Sequence, residues 1–182
     1  MIFGQVPIDP EVLATRLVSE LTKAVPRQGT AVAWTRNLKM ILRKMGKELG
    51  HTVSPDPDDD NERQFLLDLV WWRNSKYMDI VLAVESEWQA WRDVCHDFGK
   101  LLVVKSPLKL MTFDKQKEDT TKAIEELYMR RFTQHVEGEQ YLLLEFNAQK
   151  NETKPFHFVV PSNGKLSSAE FRKPSPILWA RS

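Results

Sequence analysis

Four side chains in this sequence have types and spacing that could do chemistry together. Glu85 and Glu87 stand two positions apart at the end of the apolar run "MDIVLAVESEW", residues 78–88. Successive strand side chains alternate between faces, so both carboxylates point the same way, with Ala83 and Val81 behind them. Asp68 interrupts a second apolar run, "QFLLDLVWWR", residues 64–73. If the two runs pair as a hairpin, Asp68 lies near the Glu85/Glu87 face and three carboxylates converge, with a register that pattern alone leaves open. Two carboxylates about 4 Å apart repel by about 4 kcal/mol at an effective dielectric of about 20, a large share of a domain's net stability. Raised pKa values, basic partners or a hard cation would offset that. A strand-borne carboxylate set holding Mg²⁺ or Mn²⁺ can lower the pKa of a water and stabilise charge on a phosphoryl group, the chemistry of phosphodiester hydrolysis. Lys100, on the helix that follows Glu87, is the candidate for orienting that water or neutralising the phosphate. It falls on the side away from Val94, Phe98, Leu101 and Leu102, together with Gln89, Asp93 and His96.

The elements that must position these residues follow from periodicity. Asp9-Pro10-Glu11 reads as an N-cap, a first-turn proline and a first-turn acid, and Leu13, Leu17, Leu21 and Val25 then recur at helical spacing up to Pro26. A second helix starts at Thr30, carries Trp34, Leu38, Ile41, Leu42, Met45 and Leu49 on one side and stops at Gly50. Arg36, Lys39, Arg43 and Lys47 form a basic stripe on its other side, a solvated face or a row able to meet phosphates. "SPDPDDDNE", residues 54–62, is an acidic loop; its aspartates lack the glycine and closing glutamate of a calcium loop. Strands at 64–73 and 79–87 are joined by "NSKY". From Trp88 the period becomes 3.6, giving a helix that ends near Ser106-Pro107, then a strand at 108–113, a charged helix at 115–136, strands at 141–147 and 155–160, and a proline-containing tail with Ile177, Leu178 and Trp179. The short link between the first two strands suits a hairpin, and the helix-bearing link after them suits a crossover to a parallel neighbour. The class is therefore α/β (α+β), a mixed central sheet flanked by helices.

In this order "LLDLVWW", "VLAVESEW" and a helix containing "DFGKLL" resemble the PD-(D/E)XK superfamily of restriction-endonuclease-like nucleases, over about residues 36–113. In that superfamily a first Asp is followed on the next strand by Asp/Glu-x-Lys. The resemblance implies that Asp68 and Glu85 are metal-binding acids and that Glu87 stands where the lysine would be. Members with Glu-x-Glu here, and others whose lysine has moved to the adjacent helix, make Glu87 and Lys100 the corresponding variant. Glu48, in "GKELGHTV", resembles the family's accessory helix glutamate, and His96 is a second accessory candidate. The implied function is Mg²⁺- or Mn²⁺-dependent cleavage of nucleic acid, DNA for preference, with Arg36, Lys39, Arg43 and Lys47 on the phosphates. The organisation expected is a single domain over residues 1–182, with a nuclease-like core at about 30–113 and a C-terminal strand and helix elaboration at about 114–182.

Two other readings compete. A catalytically inactive domain of the same fold would bind a protein or nucleic acid through its tryptophans and tail, and an unrelated α+β domain would use these acids structurally, Glu85 and Glu87 then being the solvated end of a strand or the first turn of the next helix. Composition narrows the field. The 182 residues, 42% apolar with six tryptophans, suit one compact core, and no apolar run reaches membrane-spanning length. The N-terminus lacks a signal-peptide pattern and the single Cys95 cannot form an internal disulfide, so a reducing cytoplasm is expected. A formal charge of +1 means that any nucleic-acid surface is a local patch. Scattered histidines give no zinc spacing, and Walker A, Rossmann and nucleophile-elbow patterns are absent. An exposed tryptophan-rich surface would make a homodimer a further expectation.

Overall fold

The computed structural model describes residues 8–24, 30–55, 66–74, 79–115, 123, 125, 136–147, 150 and 152–162. Outside them lie the core of the acidic loop, the NSKY turn beyond Asn74, most of the charged helix expected at 115–136 and the C-terminal tail.

Helix α1 (Pro10–Ala24) starts where the sequence places it: Asp9 Oδ1 accepts the Glu11 N–H at 2.8 Å, and Leu13, Ala14, Leu17, Val18 and Leu21 turn inward. Helix α2 (Ala31–Glu48) is capped by the Thr30 side chain, which accepts from the Ala33 amide, and it closes at Gly50, whose φ of 80° is left-handed. Among the described residues six strands follow in spatial order identical to chain order: β1 (Thr52–Ser54), β2 (Leu69–Asn74), β3 (Asp79–Glu87), β4 (Leu108–Asp114), β5 (Gln140–Asn147) and β6 (Glu152–Val159), with α3 (Trp91–Val103) between β3 and β4. β1, β2 and β3 pair antiparallel, β3, β4 and β5 parallel, and β5 and β6 antiparallel. The sheet is mixed, and the α/β class holds. Among the described residues no helix is long and apolar enough to cross a membrane.

Each sheet face buries its own core. α1 and α2 cover Leu69, Trp71, Leu82, Val84, Leu110, Leu142, Leu144 and Phe146; α3 covers Val70, Ala83, Met111, Phe113, Tyr141 and Leu143. Because β5 is covered on both sides, its "YLLLEF" run shows no alternation. One departure from simple parity sits in β3. Trp71 opposes Leu82 while Trp72 opposes Ile80, so Val81 is an extra residue, a bulge. Val81 therefore joins the α1/α2 core instead of standing behind Glu85 with Ala83, as uninterrupted alternation would have it. The strand containing "VWW" also begins later than its apolar run, leaving Asp68 just ahead of β2.

Gly46 decides how closely α2 approaches the sheet. A Cβ there would stand 2.6 Å from Val53 Cγ2 and 2.9 Å from the Trp71 ring, so only glycine admits the indole. A Cβ on Gly99, inside α3, meets nothing within 4 Å. Gly46→Ala is expected to destabilise by about 1–3 kcal/mol through overpacking, and Gly99→Ala to stabilise by about 0.5–1 kcal/mol through helix propensity. Urea unfolding of the two variants checks both signs.

Candidate active site

The site forms where β2 begins and β3 ends. Because Leu69 pairs with Val84, Asp68 lies level with the last residues of β3. Its Oδ2 accepts the Ser86 N–H at 2.9 Å, which continues the ladder with a side chain in place of a carbonyl. Its Oδ1 accepts from Lys39 Nζ at 2.7 Å. Lys39 is placed there by α2, whose Thr35, one turn earlier on the same face, has Oγ1 3.5 Å from Ser86 Oγ and accepts from Trp88 Nε1 at 2.8 Å. Trp34 packs edge-on against Trp88 with ring centroids 5.2 Å apart, pinning the start of α2 to the end of β3.

Glu85 faces α3 on the other side of the sheet and is 1% exposed. Lys100 Nζ reaches back from α3 to within 2.7 Å of Glu85 Oε1. The contact is an ion pair, and Lys100 supplies the positive charge that this buried carboxyl faces. Lys100 is held as well by Asp97 Oδ1 at 2.9 Å and donates to the Leu66 carbonyl at 3.5 Å. Burial pushes the Glu85 carboxyl up to about 8; Lys100 pulls against that shift, while Asp68 and Asp97 add to it. For Lys100 burial works downward, but Asp97 and Glu85 outweigh it and its pKa is raised.

The residues expected from the sequence are thus partly gathered. Glu85 and Lys100 come together, and Asp68 lies near enough to add to the charge felt by Glu85. Glu87 is engaged elsewhere, since its Oε1 accepts the Gln89 N–H at 2.7 Å and shapes the turn into α3. Among the described residues no group of three or more His, Cys, Asp or Glu side chains is arranged to hold a metal ion, so the three-carboxylate set Asp68, Glu85 and Glu87 is not assembled. His96 is largely in solvent, with Nδ1 3.3 Å from Asp97 Oδ1. Glu48 is not brought to the site at all. It lies nine residues beyond Lys39 on α2, about 13 Å along the axis, and pairs with Arg16 at 3.4 Å and Lys44 at 4.0 Å. Of the basic stripe, Lys39 belongs to the site; Arg43 donates to the Pro55 carbonyl at 3.2 Å, whereas Arg36 and Lys47 are exposed. Sequence reasoning missed Asp97, although its i,i+3 spacing to Lys100 marks the pair. It also read Lys39 as one member of an outward-facing stripe and not as the partner of Asp68. The described tryptophans are buried or half-buried and form no exposed patch.

The raised Glu85 pKa links stability to pH. A carboxyl whose folded pKa exceeds its unfolded value contributes stability that is complete below about 4.5 and is lost as pH rises through about 8. The metal-free protein is therefore expected to weaken across that window by up to about 1.4 kcal/mol per pH unit. In Glu85→Gln this component vanishes, so thermal melts between pH 5 and 9 should show the variant gaining on wild type. Parallel melting curves would sink the assignment.

Compared with known proteins, the chain matches no protein-family model, no curated protein and no solved structure.

Proposed function

We propose that this chain is a metal-dependent nuclease of the PD-(D/E)XK type that hydrolyses phosphodiester bonds of nucleic acid, DNA for preference. The observation that carries this reading is the contact between Lys100 and Glu85, 2.7 Å, made across from the following helix. It supplies beside the strand acid the lysine that the sequence lacks at Glu87. Asp68 on the neighbouring chain segment adds to the charge felt by Glu85 and completes an acid, acid and lysine arrangement.

A hard cation fits this donor set in one specific form. Mg²⁺ binds through one or two carboxylates, keeping its remaining places for water and substrate phosphate. Asp68 and Glu85 would hold it, the first at the solvent boundary and the second through a buried carboxyl whose Oε1 already faces the Lys100 ammonium. When bound, such a cation lowers the pKa of a coordinated water and draws charge from a phosphoryl oxygen. The chain's own groups do the rest. Ser86 N–H fixes the plane of the Asp68 carboxylate. Asp97 keeps the Lys100 ammonium charged and aimed at the site, where it can orient a water or meet the charge that builds on the phosphate. The basic row led by Arg36 then receives flanking phosphates. The sequence holds a single cysteine, Cys95, so no disulfide forms within it, and a cytoplasmic setting is the one we assign.

A second reading is favoured by a specific observation: Lys39 and Lys100 already lie against Asp68 and Glu85, and Glu87 is engaged elsewhere. A domain neutralised in this way binds nucleic acid without cutting it. Assays with single- and double-stranded DNA and RNA under Mg²⁺ or Mn²⁺ separate the two. For the nuclease, Glu85→Ala and Asp68→Asn should abolish cation binding and cleavage together, and Lys100→Met should lower the cleavage rate by about a hundredfold with cation binding retained. Wild-type protein that binds no cation at millimolar concentration and cuts no substrate leaves the binding domain as the function.

A further inference from the structure

Lys39 is the least expected member of the cluster. Its Nζ lies 2.7 Å from Asp68 Oδ1, and both side chains keep about a quarter of their surface in solvent, 23% and 25%. Lys100 is tied by Glu85, Asp97 and the Leu66 carbonyl; Lys39 has Asp68 as its partner among the described residues. Asp68 for its part does not depend on Lys39 for orientation, because Oδ2 is held by the Ser86 amide. An ammonium on a flexible four-carbon stem at the solvent boundary is easily exchanged for another cation. One turn earlier on α2 stands the exposed Arg36, so a freed Lys39 joins a basic row without any backbone movement.

The charges favour such an exchange. Counted as a bound cation requires, with the Glu85 proton displaced, Asp68, Glu85 and Asp97 face the two ammoniums of Lys39 and Lys100 and sum to one negative charge. A divalent cation turns that surplus positive by one, which a single phosphodiester group balances. Resting on the metal-dependent reading above, we propose that Lys39 is a displaceable counter-cation: it occupies Asp68 in the free protein and passes to the phosphate backbone of a nucleic-acid strand when Asp68 engages a divalent cation, so that cation and strand binding reinforce each other. Lys39 is thereby a positioning residue whose loss strengthens one ligand and weakens the other.

That opposed pair of effects is the test, made on the full chain. Titration calorimetry with Mg²⁺ alone should show Lys39→Met binding about tenfold tighter than wild type, as removal of a unit charge a few ångströms away requires. Lys39→Arg and Arg36→Met should match wild type, the first because it keeps the charge and the second because it does not touch Asp68. Fluorescence anisotropy with a hydrolysis-resistant phosphorothioate oligonucleotide should show wild-type affinity rising at least about threefold when Mg²⁺ is added, and Lys39→Met showing no such rise. A Lys39→Met protein that folds and binds Mg²⁺ no more tightly than a wild type that does bind it overturns the inference and leaves the nuclease reading standing. The same gain in Lys39→Arg would also overturn it, since charge would not be the cause. Binding in Lys39→Met alone supports masking by Lys39 and counts against an active wild-type enzyme. No binding in either protein ends both proposals.

Discussion

Glu85 is a carboxyl group with 1% of its surface exposed, set at the end of a strand and faced by one lysine from the next helix. Much of the surrounding architecture answers to that placement. Removing one partner from a buried pair leaves an uncompensated charge and is far more damaging than never having the pair, so α3 must dock on β3 in the one rotation that brings Lys100 over Glu85. The same rotation turns Val94, Phe98, Leu101 and Leu102 onto the sheet, and Asp97, one turn before Lys100, comes with it. The electrostatic and hydrophobic demands on α3 thus agree, which is the consistency expected of a sequence with one native packing.

Much of this was legible in the residues. The hairpin, the parallel crossover through a helix, the bounds of β3 and the caps of α1 and α2 each rest on local chemistry: a period, a proline, a threonine, a glycine. Hairpin pairing brought Asp68 level with the end of β3, while its register was set by the structure and not by the pattern. What escaped depends on geometry that no periodicity encodes. The Val81 bulge arises from a mismatch between Trp72 and Ile80 across two strands and changes which residues back the site without altering the alternation of the segment itself. Glu87 has the right parity for the cluster, yet a main-chain N–H two residues on is nearer than a distant cation would be, and local hydrogen bonding wins. Glu48 and Lys39 exchanged importance for a single reason. Thr35 fixes the beginning of α2 at Ser86, so the helix runs away from the site, and its last turn ends beside α1.

The same sheet face holds a second buried lysine with a different set of neighbours. Lys109, level with Ala83 on the adjoining strand, is fully buried. It donates to Glu139 at 2.5 Å and to Tyr141 Oη at 3.1 Å, and it lies 4.9 Å from the centre of the Tyr141 ring. Burial lowers its pKa, and Glu139 opposes that shift. This lysine has a carboxylate and a hydroxyl in aligned contact, so its charge is matched within the fold. Such a closed pair secures the turn through Gly138 into β5 and leaves the ammonium fully engaged.

Around Glu85 the same chemistry is left unfinished. Its lysine is shared with Asp97, and its third neighbour, Asp68, sits at the solvent boundary with the Lys39 ammonium against it. The fold closes such a pair at one level of the sheet and does not do so two residues further along. That contrast separates the two lysines: Lys109 is closed into the interior of the sheet, whereas Lys100 meets its acids at the end of β3 with 20% of its side chain still in solvent.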